Sequence, residues 1–70
     1  MKLVRIKNLR EDRDLTQSEM ARLLNISQRA FSHYENGNRN IPIEMLIKIA
    51  DIYNVSLDYL VGRSDKQEQI

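Results

Sequence analysis

Five polar residues in one short segment could make directional contacts with a single partner. They are Gln28, Arg29, Ser32, His33 and Asn36, and they lie between Ser27 and Gly37. Helical residues advance about 100° each. On such a helix these five share one side, and Ala30, Phe31 and Tyr34 share the other. The polar row contains no acid. Side-chain amides match the edge of adenine and a guanidinium matches guanine, so the row suits the major groove of duplex DNA. A polar helix face is also what plain solvation produces, and the row by itself leaves both readings open.

Other chemistry finds little support. Ser32 and His33 are adjacent, and adjacent side chains on a helix diverge, so they do not meet as nucleophile and base. One histidine and no cysteine do not assemble a metal site. The two glycines, Gly37 and Gly62, stand alone and read as helix stops, not as a phosphate-cradling loop. The expectation is no enzyme, no metal and no cofactor.

The row needs a scaffold, and the flanking residues supply one. Thr16 and Glu19 have the spacing of a capping box, so a helix should run from about Gln17 to Leu24. Asn25 sits where the chain must reverse and tolerates the left-handed conformation. Ser27 can cap the next helix, Gln28 to Asn36, and Gly37 can end it. Met20, Ala21, Leu24 and part of Leu23 are the expected buried face of the first of these helices. Ala21 is small enough to let the two approach closely.

Upstream, Leu3, Ile6, Leu9 and Val4 form a stripe within residues 2–13, an amphipathic helix with Arg10 at its edge. Arg5, Lys7 and Arg13 read as solvated, and Lys2 and Lys48 as surface charges. Downstream, Ile41 precedes Pro42, and Pro42 suits the first turn of a helix from Ile43 to Tyr53. Its wide apolar stripe places it at the centre of the core. After a break at Asn54-Val55, Ser56 caps a short helix from Leu57 to Val61, which Gly62 stops. Tyr34 reads as a core aromatic with its hydroxyl at the rim.

Seventy residues allow one domain, with a small core suited to helices. The absence of cysteine fits a reducing compartment. No apolar run approaches the ~20 residues of a membrane span, and the charged start does not read as a signal peptide; a cytoplasmic protein is the default. Net charge is only +1, but residues 1–41 hold eight Lys/Arg against five Asp/Glu, and residues 42–70 hold three against five. The basic half carries the capped helix pair.

Several stretches then match one family in order and spacing. They are Leu9-Arg10, Leu15-Thr16-Gln17, Ala21, Ile26-Ser27, Tyr34-Glu35-Asn36-Gly37, Leu46-Ile47-Lys48-Ile49-Ala50 and Val55-Ser56-Leu57-Asp58-Tyr59-Leu60. Over about residues 3–62 the chain resembles the helix-turn-helix domain of the phage repressor and Cro family, also called xenobiotic-response-element-type regulators. The resemblance implies an all-α, five-helix lambda-repressor-like DNA-binding domain at residues 1–62. Its helix-turn-helix would be helices two and three, and residues 63–70 a polar, frayed tail. It also implies a sequence-specific regulator, a repressor occupying a double-stranded operator, with a homodimer forming at least on DNA.

In that family the second helix of the pair enters the major groove. Carried over, Gln28 and Arg29 reach base edges and Ser32 and His33 lie a turn further on. Gln17 binds a phosphate and buttresses Gln28, while Asn36, Asn38 and Arg39 line adjoining phosphates. Arg10 and Glu35 occupy the places of a structural ion pair. The dimer surface falls around Asn54 to Tyr59, with Val55, Leu57 or Tyr59 exposed. Three departures stand out: Asn25 for the usual turn glycine, Phe31 for a Val or Ile, and a proline shifted by one at Pro42. The competing expectation is a protein-interaction module of the same fold, an antitoxin or adaptor. No small-molecule ligand and no membrane partner is implied.

Overall fold

The computed structural model describes residues 3–68. Lys2 and residues 69–70 of the expected tail lie outside the described residues. Five helices and no strand are present among those described: α1 (Val4–Asp12), α2 (Gln17–Leu24), α3 (Gln28–Asn36), α4 (Ile43–Tyr53) and α5 (Leu57–Leu60). This is the all-α, five-helix architecture expected, with α2 and α3 the closely packed pair.

The starts of the helices follow local chemistry. The Thr16 hydroxyl accepts from the Glu19 amide at 3.0 Å, and the Glu19 carboxylate accepts from the Thr16 amide at 2.9 Å. Ser27 accepts from the Ala30 amide and Ser56 from the Tyr59 amide, each at 3.0 Å. Pro42 is the cap of α4 and not its first-turn residue. Its φ of −60° is helix-like but its ψ of 146° is extended, and its carbonyl accepts the Leu46 amide.

All five helices end by one device. A residue with positive φ closes each: Asp14 (54°), Asn25 (57°), Gly37 (80°), Asn54 (56°) and Gly62 (85°). The amide of the following residue then reaches back five positions. Leu15 donates to Arg10, Ile26 to Ala21, Asn38 to His33, Val55 to Ala50 and Arg63 to Asp58, at 2.8–3.1 Å. This closure satisfies carbonyls that the helix end would leave orphaned. It also aims the following residue at the core where that residue is apolar: Val55 is buried, and Leu15 and Ile26 are half-buried. Val55 is therefore unavailable as the exposed dimer residue expected of it.

The core joins every helix. Ile6, Leu9, Met20, Ala21, Leu24, Phe31, Ile49, Ala50, Tyr53, Val55 and Leu60 are buried. The Tyr53 hydroxyl donates to the Ile6 carbonyl at 3.0 Å, and burial holds its phenol well above the ordinary value. The apolar arc of α4 is wider than its neighbours can cover. Ile49, Ala50 and Tyr53 face inward, while Ile43 and Ile47 remain 57 % and 45 % exposed. Val4, placed above on the apolar stripe of α1, is also exposed, and Leu23, expected to be buried in part, is more than half exposed.

Two arginines expected to be solvated instead cover carbonyls near helix C-termini, where cations are favoured. Arg13 donates to the carbonyls of Tyr53 (2.6 Å) and Leu9 (3.2 Å), with its guanidinium 5.3 Å from the centroid of the Tyr53 ring. The last turn of α4 has no basic residue of its own. Arg5 donates to the carbonyls of Tyr59 (2.8 Å) and Ser64 (2.7 Å), pairs with Asp65, and stacks 4.0 Å from the Tyr59 ring centroid. Residues 63–68, expected to fray, return along α5. The Ser56 amide donates to the Gln67 carbonyl at 2.7 Å and the Ser56 hydroxyl to the Lys66 carbonyl at 3.1 Å.

Two consequences can be measured. Asn54 is exposed and held at positive φ, so Asn54→Gly should raise thermal stability while Asn54→Ala lowers it by about 1 kcal/mol; a rise in Tm for alanine would contradict the left-handed closure. The Glu19 carboxylate is held below its ordinary range, chiefly by the Thr16 amide hydrogen bond. A carboxylate depressed by folding stabilises above its unfolded value and loses that contribution as pH falls through the folded one. The Tm gap between the parent chain and Glu19→Ala should be flat from neutrality to about pH 5 and shrink below it.

Candidate nucleic-acid interface

The site begins with a buried acid. Glu35, near the end of α3, is 1 % exposed. Its two carboxylate oxygens accept three hydrogen bonds: Nε of Arg10 at 2.9 Å, Nη2 of Arg10 at 3.1 Å and Nε2 of Gln17 at 2.9 Å. Arg10 also donates from Nη1 to the Leu15 carbonyl at 2.8 Å. The carboxylate keeps the guanidinium charged, raising its pKa above an already high value. A single acid thus ties α1, the α1–α2 turn and the first residue of α2 to α3. Phe31, fully buried, holds the same side of α3 on the core.

With that side fixed, the opposite side of α3 must face solvent. Gln28, Arg29 and Asn36 are exposed, and Ser32 and His33 are half-buried. Gln17, Gln28, Arg29, Ser32 and His33 line one shallow concavity. The Asn36 amide donates to the Ser32 hydroxyl at 3.3 Å, one turn back. Asn38 and Arg39 are exposed in the turn beyond Gly37, outside the lining of that concavity. The Asn38 amide is used in closing α3. Tyr34 is half-buried, between the row and the core.

One polar contact escaped the sequence. The residue hydrogen-bonded to Gln28 is Ser18, whose hydroxyl donates to Gln28 Oε1 at 3.0 Å. Gln17, assigned that place by the resemblance, turns its Nε2 to Glu35 instead. Nothing in the residue pattern separates Ser18 from any serine on a helix surface. Among the described residues no group of three His, Cys, Asp or Glu is placed to hold a metal ion. No described helix is long and apolar enough to cross a membrane.

The family model described as helix-turn-helix matches residues 6–60. The chain belongs to the helix-turn-helix family. Within it, α2, the turn at Asn25 and α3 are the helix-turn-helix proper, and α3 is the helix that such folds lay in the major groove. Curated relatives cover most of this chain. The HTH-type transcriptional regulator ImmR of Bacillus subtilis is 39 % identical over 61 residues, 87 % of this chain and 48 % of its own length. The antitoxin PezA of Streptococcus pneumoniae is 44 % identical over 57 residues, 81 % of this chain and 36 % of that protein. The cryptic phage CTXphi transcriptional repressor RstR of Vibrio cholerae is 35 % identical over 68 residues, covering 94 % and 61 %. This helix-turn-helix chain spans about half the length of the curated relatives it matches.

Removing one partner of a buried, hydrogen-bonded pair leaves an uncompensated charge and costs about 3–5 kcal/mol. Arg10→Met and Glu35→Leu should each lose stability on that scale in urea denaturation. The double variant should recover most of the loss, since no buried charge remains; a double variant as weak as the singles would mean that the pair does not act as a unit.

Proposed function

We propose that this chain is the DNA-reading domain of a transcription regulator, a repressor that occupies its operator through α3. The observation that carries the proposal is the solvent-facing, acid-free row Gln28, Arg29, Ser32, His33 and Asn36 on the second helix of a helix-turn-helix. Gln28 and Arg29 read base edges, with Ser32 and His33 a turn further along the groove. Gln17, Asn36, Asn38 and Arg39 meet phosphates and set the register. Arg10 and Glu35 hold the pair in place. The names of ImmR and RstR, a transcriptional regulator and a transcriptional repressor, support the reading.

One such domain touches only a few base pairs. Useful specificity then calls for a homodimer on two half-sites about 34 Å apart, formed at least on DNA. The domain works in the cytoplasm without a cofactor, metal or catalytic step. A second reading, a protein-interaction module of the same fold, draws on the name of the antitoxin PezA.

Selection of bound duplexes from a random pool tests both readings. An enriched site with two-fold symmetry supports the first, and failure to retain DNA even at low salt supports the second. On the selected site, Gln28→Ala should relax preference at one base pair by a factor corresponding to about 1–3 kcal/mol. Arg39→Ala should weaken all sequences alike and reduce the slope of log K against log salt by about 0.9. A change of sequence preference on losing Arg39 would reverse the assigned roles.

A further inference from the structure

We propose that Ser18 is a positioning residue for base reading: it tethers the amide of Gln28 to α2 before DNA arrives. This rests on the base-reading role of Gln28 proposed above and deepens it. The terminal torsion of a glutamine is broad and roughly two-fold, so a free Gln presents either its oxygen or its nitrogen to a groove. Gln28 is exposed in the first turn of α3, outside the buried core.

The Ser18 hydroxyl restrains it. It donates to Gln28 Oε1 at 3.0 Å and holds the amide against α2. A groove approaching α3 then meets an amide already held in place, with its donor and one lone pair of its oxygen still unused. That is the pairing a bidentate contact to an adenine edge requires. Ser18 is the only side chain hydrogen-bonded to Gln28 among the described residues. Its neighbour Gln17 donates to Glu35 instead, and the nearby Ser27 hydroxyl accepts from the Ala30 amide. Arg29, also in the first turn of α3, has no comparable hold among the described residues, so Gln28 is the preordered member of the leading pair. Ordering a long side chain in advance lowers what binding must spend on it.

The two first-turn residues of α2 therefore grip α3 near opposite ends, Gln17 at Glu35 and Ser18 at Gln28. The first grip is part-buried and ends on the Glu35 carboxylate. The second is exposed, and Ser18 neither caps a helix nor enters the core, so its substitution leaves the fold intact.

The test uses Ser18→Ala and Ser18→Thr, each alone and combined with Gln28→Ala, on the duplex selected by the parent chain and on its single-base variants. Ser18→Ala should lose about 2–10-fold of discrimination at the base pair relaxed by Gln28→Ala, the range of one net hydrogen bond. Discrimination elsewhere, the salt slope and Tm should not move. Ser18→Thr, which keeps the hydroxyl, should restore the preference, and Ser18→Ala should add nothing in the Gln28→Ala background. Without DNA, NMR relaxation of the Gln28 side-chain amide should show more motion in Ser18→Ala than in the parent chain.

The proposal is overturned if Ser18→Ala leaves that base pair fully discriminated, or if its effect is spread over all positions or persists without Gln28. If Gln28→Ala relaxes no position, the base-reading assignment itself fails and the proposal with it. The amide relaxation in the free chain separates that failure from a missing Ser18–Gln28 bond.

Discussion

The whole arrangement depends on one carboxylate that cannot reach water. Glu35 lies on α3 but belongs energetically to α1 and α2, whose Arg10 and Gln17 supply all three of its hydrogen bonds. A buried acid without partners would be far costlier than the pair is favourable, so the fold tolerates only arrangements in which these helices meet. Hydrophobic contacts are less selective. Met20, Ala21, Leu24 and Phe31 would accept a range of crossing geometries at similar cost, whereas a two-pronged guanidinium–carboxylate pair fixes register and roll. Once the roll of α3 is fixed by Glu35 and Phe31, the direction of its polar row follows without any further contact.

The backbone adds a second constraint of the same kind. Turns of only a few residues separate the helices, and each contains a left-handed residue followed by a backward hydrogen bond. Such closures leave little freedom in the angle at which the next helix departs. They also explain why the substitution of Asn25 for a glycine is tolerated in the turn: at φ of 57° asparagine is the most permissive residue after glycine. The same asparagine recurs at the end of α4, at Asn54.

Much of this was legible in the sequence, because capping chemistry is local. Thr16 with Glu19, Ser27, Ser56, Asn25 and Gly37 announce their roles by residue type and spacing, and the limits of α2 and α3 and the start of α5 follow from them. The polar row was legible for the same reason, since helical periodicity alone places its members on one side. What failed was non-local. The exposure of Ile43 and Ile47 depends on how much of α4 its neighbours can cover. The burial of Val55 depends on a backward hydrogen bond after Asn54. The cationic caps made by Arg5 and Arg13 join residues 40 to 59 positions apart. Ser18 was illegible because its partner lies across the turn, and only the packed pair brings the two together.

The separation between what holds α3 and what α3 displays bears on how such a domain can diverge. Phe31 and Glu35 face inward, while Gln28, Arg29 and Asn36 stand in water and contribute no core contact. Exposed substitutions of that sort usually change stability by less than about 0.5 kcal/mol. The displayed residues can therefore be rewritten almost freely, and descendants could drift to new target sequences through intermediates that all remain folded.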